Sequence, residues 1–199
     1  MHHAFVKANL LLFLVALLPA ANTQEVRSPG PEYTSSGQLK FPENYREWVY
    51  LSSGFDMSYN PAMRMGHHMF DNVFVNPEAY KSFLETGTWP DKTMLVLETR
   101  PAEGKGSINQ QGNYQSTETM GIEVHLRDSK RFQGGWAFFG FDGTKPADMV
   151  PVQAACYTCH RAHAAVNTTF VQFYPTLLPI AKSKGTLSAA YLKESSAQK

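Results

Sequence analysis

The 199-residue sequence contains only two cysteines, Cys156 and Cys159, which lie three positions apart. A network of structural disulfides is therefore excluded, and the pair can form one C-x-x-C disulfide or act as two ligands. An excess of charge of one sign is also missing, because 18 Lys and Arg residues are balanced by 17 Asp and Glu residues. Such a chain lacks the basic surface that binds nucleic acid or an anionic membrane, and we expect neither partner.

Long apolar runs are equally scarce, and the one that stands out occupies residues 10–18, after Lys7 and before Ala20 and Ala21. This order is typical of a secretory signal peptide, and the run is shorter than the about 20 residues that span a bilayer. An N-terminal anchor or a buried helix is the alternative. The sequence thus predicts a cleaved signal peptide at residues 1–23 and a periplasmic, soluble mature protein.

Composition divides the remaining chain into three parts. Residues 24–40 are rich in Ser, Gly, Pro and Glu, which predicts a flexible leader. Residues 41–185 carry most of the aromatic and aliphatic residues and are predicted to form one folded domain. Residues 186–199 are predicted to be a polar tail with frayed structure.

Hydrophobic periodicity predicts an α+β fold with an antiparallel sheet of about four or more strands. The strand-like segments are residues 67–76, 93–100, 120–128 and 134–143. A helix is predicted between the first two, because Asn76 can cap it, Pro77 suits its first turn and Gly87 can end it.

The remaining segments complete the predicted architecture. Residues 41–52 predict a short helix, and the loops and C-terminal helical segments follow from turn residues and alanine content. The loops are residues 54–66 and 101–114, and the helical segments are residues 152–165 and 169–183, of which the second is interrupted by two prolines. The two cysteines thus lie on a predicted C-terminal helix.

Residues 156–160 read Cys-Tyr-Thr-Cys-His, which is the attachment signature of c-type haem. On a helix, positions i, i+3 and i+4 share one face. Cys156 and Cys159 can therefore reach two vinyl groups along one porphyrin edge, while His160 brings an imidazole to the iron. Both thiols are used, which explains why no other cysteine is needed. The sequence predicts one covalent haem c with His160 as its iron ligand.

The motif is also compatible with three kinds of site other than haem. A zinc site needs at least three protein ligands, and Cys156, Cys159 and either His160 or His163 supply three without an obvious fourth. A thioredoxin-like redox pair would follow a strand in a βαβ unit, which the pattern does not predict. A plain disulfide leaves His160 without a role.

The side of the iron opposite His160 decides between kinds of haem protein. A Met or His ligand there is typical of electron-transfer cytochromes, whereas an open apolar side binds a small ligand such as NO or CO, or a substrate. Several side chains are candidate sixth ligands, and none stands in a diagnostic pattern. They are His67, His68, His125, Met63, Met65, Met69 and Met120.

The order of these segments resembles the cytochrome P-460 family, which includes the β-sheet cytochromes c′. The resemblance extends over residues 41–182 and rests on the stretches FPENYREW, NVFVNPEAY, ETGTWPDKTMLVLE, GIEVHLRDSKRF, GGWAFFGF, ACYTCH and FVQFYPTL. It implies a periplasmic c-type haem lodged against an antiparallel sheet. It further implies five-coordinate iron bound by His160, and a homodimer.

The resemblance also implies that one covalent bond distinguishes two branches of the family. In hydroxylamine-oxidising members, a lysine just before the glutamate of V-L-V-K-E is cross-linked to the porphyrin rim. The matching stretch MLVLE places Leu97 at that position, and leucine cannot form the bond. Lys92 would be the candidate only if the register differed by five residues. Leu97 favours the branch that binds gases over an oxidoreductase that passes electrons to a partner cytochrome.

Glu123 matches a distal carboxylate that accepts a proton in the oxidising members of this family. From the residues alone, an acid between Ile122 and Val124 on a strand is more typical of a surface position. If Glu123 faces the haem, desolvation should raise its pKa and suit it to proton transfer. Aromatic residues are expected to wall the pocket, and the candidates are Phe70, Phe74, Phe138 and Phe139.

Overall fold

The structure is a computed structural model that describes residues 30–57, 66–106, 108 and 110–197. The predicted signal peptide, Met63 and Met65 lie outside the described residues. In the part of the chain that is described, no helix has the length and apolar character needed to cross a membrane.

The described residues form an antiparallel sheet with helices, which confirms the predicted α+β fold. Five strands pair in the order β1-β2-β3-β5-β6, and β4 pairs with the end of β3. The strands are β1 (Val49–Phe55), β2 (Met69–Val75), β3 (Met94–Glu103), β4 (Tyr114–Gln115), β5 (Gly121–Arg127) and β6 (Trp136–Phe141). The helices are α1 (Pro77–Thr86), α2 (Ala155–His163), α3 (Leu178–Lys184) and α4 (Ala189–Ala197). Single 3-10 turns occur at Tyr45–Glu47 and Val171–Phe173.

The strand register gives the sheet two distinct faces. Leu97 of β3 pairs with Val73 of β2 on one side and with Glu123 of β5 on the other. Paired residues of antiparallel strands point to the same face, so these three share one face, and their neighbours Val96 and Val124 share the other. We call the first the cleft face. The opposite face is covered by the N-terminal segment, including Leu39, Tyr45 and Trp48.

The cleft face is partly covered by α1 and the C-terminal segments. The helix α1 forms where it was predicted, with Pro77 in its first turn and Gly87 ending it in the left-handed conformation. The predicted cap by the Asn76 side chain is wrong, because its Oδ1 accepts from the backbone N–H of Met94 at 2.8 Å instead. Its Phe83 is fully buried, with its ring 4.3 Å from that of Trp89. Together with Leu95 and Leu177, these rings belong to the second core cluster of the domain.

The predicted helix at residues 41–52 is wrong. The structure has only one 3-10 turn there, followed by β1, which continues into the segment that was predicted to be a loop. A register shift between Tyr50 and Ser52 breaks the alternation of buried and exposed positions. This irregularity hides the period of two by which a strand is recognised in a sequence.

The described parts of the leader and the tail pack against the domain, which differs from the expectation based on composition. Leu39 is 1% exposed and forms an isolated bridge with Ala147. Helix α4 lies against α2, where Nδ1 of His163 is 3.0 Å from a carboxylate oxygen of Glu194. Tyr191 packs on the second core cluster. A few apolar residues within otherwise polar segments are sufficient for this packing.

Gly87 has φ +72°, and a Cβ added there would lie 2.7 Å from Cβ of Lys184. Because both the backbone strain and the clash are unfavourable, we expect Gly87→Ala to lower the free energy of unfolding by roughly 1–3 kcal/mol. Chemical denaturation monitored by circular dichroism measures the loss. Gly121→Ala is the matched control, because nothing lies within 4 Å of an added Cβ there. Equal stability of the two variants would contradict the prediction.

Candidate functional site

The helix α2 carries the cysteine motif and is anchored to the edge strand β6. Cys156 and Cys159 are both free and partly buried. The hydroxyl of Tyr157 donates to the carbonyl oxygen of Val150 at 3.0 Å and accepts from the backbone N–H of Phe138 at 3.3 Å. These bonds hold the motif helix at the end of the cleft face.

His160 is held in one tautomer by a backbone carbonyl. Its Nδ1 lies 2.7 Å from the carbonyl oxygen of Thr168, and a carbonyl oxygen can only accept. The proton is therefore on Nδ1, and Nε2 keeps its lone pair. Burial lowers the pKa of His160, and the hydrogen bond to Thr168 opposes that shift. The side chain is thus a neutral imidazole, which is the form that binds metals.

The carbonyl that holds His160 belongs to a tight turn, residues 166–169. Val166 and Thr169 form an isolated antiparallel bridge, and the backbone N–H of Thr169 donates to the carbonyl of Val166 at 2.9 Å. Asn167 has φ +53°, a conformation that asparagine tolerates better than most residues. Nε1 of Trp89 donates to the hydroxyl of Thr169 at 2.7 Å. The turn is therefore bound to the body of the domain.

His125 packs beside His160, between two aromatic rings. Its ring lies 4.0 Å from that of Phe138 and 4.4 Å from that of Trp136, and 5.0 Å from the His160 ring. Burial lowers the pKa of His125 well below its usual value, and the neighbouring His160 lowers it further. His125 is therefore neutral. Its Nε2 lies 3.3 Å from the hydroxyl of Thr168, so it contacts the turn that holds His160.

A cleft opens between the cleft face of the sheet and the C-terminal segment. It consists of two adjoining cavities of about 540 and 130 Å³. The larger reaches Cys159 and has a volume within the roughly 300–1,000 Å³ usual for cofactor sites. The smaller reaches His160. Four residues line both cavities: Val73, Leu97, Phe170 and Tyr174.

Another cavity, of about 530 Å³, lies against the opposite face beside Trp48 and Met94. Its described lining residues include no cysteine and no histidine. The cleft beside α2 is therefore the candidate functional site.

The structure brings several of the predicted site residues into this cleft. Leu97, Glu123 and Phe138 line it together with Cys159 and His160. Phe170 and Phe173 also line it, and sequence reasoning missed both. Their three-residue spacing shortly after the cysteine motif is the signal that would have found them.

The prediction that Phe70 and Phe74 line the pocket is corrected by the structure. Val73 points into the cleft, so its neighbour Phe74 points to the other face, where its ring is 5.6 Å from that of Tyr45. Phe70 has the same parity and lies against Phe55 at 5.0 Å. Phe139 likewise belongs to the core cluster of the opposite face.

Three carboxylates line the cleft, and sequence analysis named only one of them. The Glu123 side chain is exposed to the cleft, where partial desolvation raises its pKa, and the negative charge of Asp71 adds to this shift. Burial also raises the pKa of Asp71, which accepts a hydrogen bond from the Thr99 hydroxyl at 2.9 Å. Asp56 lies at the mouth, 2.5 Å from Nδ1 of His68. Within the described part of the chain, the Glu123 carboxylate makes no hydrogen bond or ion pair, so it is free to act on a ligand.

Of the described candidates for a sixth iron ligand, only His125 lines the cleft. His68 is exposed and bound to Asp56, while His67, Met69 and Met120 are not among the lining residues. His125 lines the smaller cavity, but it is a neighbour of His160 that contacts Thr168. The thioether that does line the larger cavity belongs to Met57, which sequence analysis did not consider.

The structure also bears on two alternatives raised by the sequence, which are Lys92 as the cross-linking lysine and a zinc site. The ammonium group of Lys92 binds the carboxylate of Asp128, and Lys92 does not line the cleft. Among the described residues, no three His, Cys, Asp or Glu side chains are grouped so that they could hold a metal ion. The zinc alternative therefore finds no ligand set in that part of the chain.

Comparison with known proteins found one family that matches this chain. The family model described as Cytochrome P460 matches residues 42–171, which is more than half of the chain. The matched region contains all six strands, α1, and α2 with its cysteine motif. No curated protein matches the chain. The chain belongs to the Cytochrome P460 family, and it is therefore a haem cytochrome of that family.

Proposed function

We propose that the protein is an exported, periplasmic c-type cytochrome whose single haem binds small gaseous or nitrogenous ligands, such as NO and CO. In this proposal Cys156 and Cys159 bind the haem covalently, and His160 is the iron ligand. The observation that carries it is the hydrogen bond from Nδ1 of His160 to Thr168, which leaves Nε2 with a free lone pair at the cleft.

The residues of the cleft fit a porphyrin. The larger cavity is mostly apolar, with Val73, Leu97, Phe170 and Tyr174 among its walls, and flat apolar groups favour such surroundings. Cys159 opens directly onto it. When bound, haem supplies an iron that takes up diatomic ligands and changes oxidation state.

Leu97 supports gas binding over cross-linked chemistry. Its side chain lines both cavities, which supports a position beside the proposed haem, and leucine offers no nucleophile. Among the residues that the structure describes, no lysine lines either cavity of the cleft. Apolar walls favour an uncharged diatomic ligand, because burying an unpaired charge there is costly.

Optical spectroscopy of the exported protein, with and without NO or CO, tests the proposal. We expect a five-coordinate ferrous spectrum that changes on addition of either gas, and an intact mass that includes one haem after denaturation. A six-coordinate low-spin spectrum insensitive to CO would instead indicate electron transfer. Protein without haem would overturn the proposal. Size-exclusion chromatography with light scattering tests the predicted homodimer.

A second candidate function is oxidation of hydroxylamine or a similar nitrogen compound, with electrons passed to a partner cytochrome. Glu123 is the observation that favours it, since this carboxylate lines the cavity with His160 and partial desolvation raises its pKa. A base whose pKa lies closer to neutral is better matched to accepting a substrate proton.

Under this second candidate, Glu123→Gln should lower kcat/KM for hydroxylamine by about 100-fold or more, the contribution typical of a positioned general base. Steady-state turnover with an artificial electron acceptor measures the change. Glu118→Gln is the control, because Glu118 is exposed and lies outside the cleft. Equal turnover by wild type and Glu123→Gln would remove Glu123 from this role.

A further inference from the structure

We infer that His125 and the hydroxyl of Thr168 form a positioning pair that sets the electron density of His160 and thereby the reduction potential of the bound iron. The inference rests on the proposed function, in which His160 is the iron ligand. It concerns side chains that do not touch the iron, and it follows from the hydrogen bonds around the turn at residues 166–169.

Thr168 makes two different contacts with two histidines. Its carbonyl oxygen accepts from Nδ1 of His160 at 2.7 Å, while its hydroxyl lies 3.3 Å from Nε2 of His125. One residue thus connects the two rings, and any shift of Thr168 changes the hydrogen bond to His160.

His125 is well suited to hold Thr168 in place. It is 7% exposed and has little freedom to move, because Phe138 is stacked on it at 4.0 Å with an angle of 10° between the planes, and Trp136 lies 4.4 Å away. An imidazole fixed in this way is a rigid hydrogen-bonding partner for the Thr168 hydroxyl.

The backbone of the turn needs such support. Asn167 is in the left-handed conformation, and the adjacent Thr169 is held separately by Nε1 of Trp89 at 2.7 Å. The Trp89 contact fixes one end of the turn and the His125 contact fixes the carbonyl-bearing residue. Without the second contact, the side chain of Thr168 would no longer bind the turn to β5.

The expected consequence is electronic. A short hydrogen bond at Nδ1 makes an imidazole a stronger electron donor, which favours ferric over ferrous iron. Weakening it should raise the reduction potential. Since one hydrogen bond changes an equilibrium by about three- to tenfold, the ferrous-to-ferric ratio at a fixed applied potential should rise by about that factor.

Thr168→Val and Thr168→Ser test this inference as a matched pair, because the first removes the hydroxyl at nearly constant size and the second keeps it. The measurements are redox titration of the purified holoprotein and the iron–histidine stretching frequency by resonance Raman spectroscopy. We expect Thr168→Val to have a higher potential and a lower stretching frequency, and Thr168→Ser to resemble wild type.

Two controls separate positioning from general loss of stability. Thr186→Val removes a hydroxyl that donates to the carbonyl of Gly87 at 2.7 Å, outside the cleft, and should leave the potential unchanged. His125→Leu should shift the potential in the same direction as Thr168→Val, and the double variant should shift it no further. If His125→Leu does not fold, the two Thr168 variants decide the question.

An unchanged potential and stretching frequency in Thr168→Val would overturn this inference alone, because the haem would still be present and bound by His160. Wild-type protein without haem would overturn the proposed function and this inference together. Equal shifts in Thr168→Val and Thr186→Val would also overturn the inference, since a general effect of lost stability would then account for both.

Discussion

Replacing both Cys156 and Cys159 with serine should reduce covalently bound haem from one per chain to none. The two thiols are the only ones in the chain, and α2 places both on the side of the helix that also carries His160. Serine keeps the helix and its contacts but forms no thioether. The intact mass of the denatured variant and haem staining of a denaturing gel measure the loss.

Thr158→Ser is the matched control, because Thr158 stands between the two cysteines and is exposed. It should retain one haem per chain. Haem that survives denaturation in the double serine variant would contradict covalent attachment through these residues. It would also point to another covalent bond between the chain and the porphyrin.

The second large effect is expected at Glu98, on the opposite face of the sheet. Glu98 is 3% exposed, and its carboxylate binds Nε of Arg100 and a terminal nitrogen of Arg46, each at 2.5 Å, as well as the hydroxyl of Tyr45. Replacing it with glutamine leaves the buried Arg100 charge without its partner. We expect a loss of about 3 kcal/mol in the free energy of unfolding at pH 7.

The pH dependence of this loss follows from the pKa of Glu98. Burial alone would raise this pKa, but hydrogen bonds from Arg100 and Tyr45 and the arginine charges lower it below its usual value. A carboxylate with a lowered pKa contributes stability above its unfolded pKa of about 4.3, and the contribution disappears as the pH falls through the folded pKa. The difference between wild type and Glu98→Gln should therefore shrink below about pH 4.

Urea denaturation of both proteins at pH 7 and pH 3.5 measures these quantities. Glu32→Gln serves as the control, because the pair formed by Glu32 and Lys40 is exposed and such pairs contribute about 0–1 kcal/mol. A Glu98→Gln variant as stable as Glu32→Gln would show that Arg100 is satisfied by the carbonyl oxygens of Ser116, Thr117 and Glu118 alone.

Local sequence patterns correctly predicted the elements whose structure depends on residues that are neighbours in the chain. Pro77 and Gly87 marked the first turn and the end of α1, and the alternation of Ile122, Val124 and Leu126 with polar residues marked β5. The alanine content of residues 152–165 predicted a helix, and α2 confirms it. The strand β1 escaped this reasoning, because the irregularity between Tyr50 and Ser52 shifts its side chains out of phase.

Assigning residues to a face of the sheet from composition alone was less successful. Phe70 and Phe74 were chosen because they are aromatic, yet their parity places them opposite to Val73 and the cleft. Leu97 and Glu123, which were chosen from the family resemblance, are direct partners across β3 and β5 and both line the cleft. Parity along a strand can be read from a sequence, but which parity faces a ligand depends on what covers the other face.

The sequence by itself determined the predicted haem attachment, the α+β class and the absence of a lysine at position 97, since each follows from residue identity and short-range spacing. Only the tertiary structure decided that Thr168 holds Nδ1 of His160, that His125 contacts Thr168, and that Asp56, Asp71 and Met57 line the cleft. These contacts join residues that are as far apart in the chain as β5 and the turn after α2. They exist because strand pairing and core packing bring distant segments together, which no local pattern encodes.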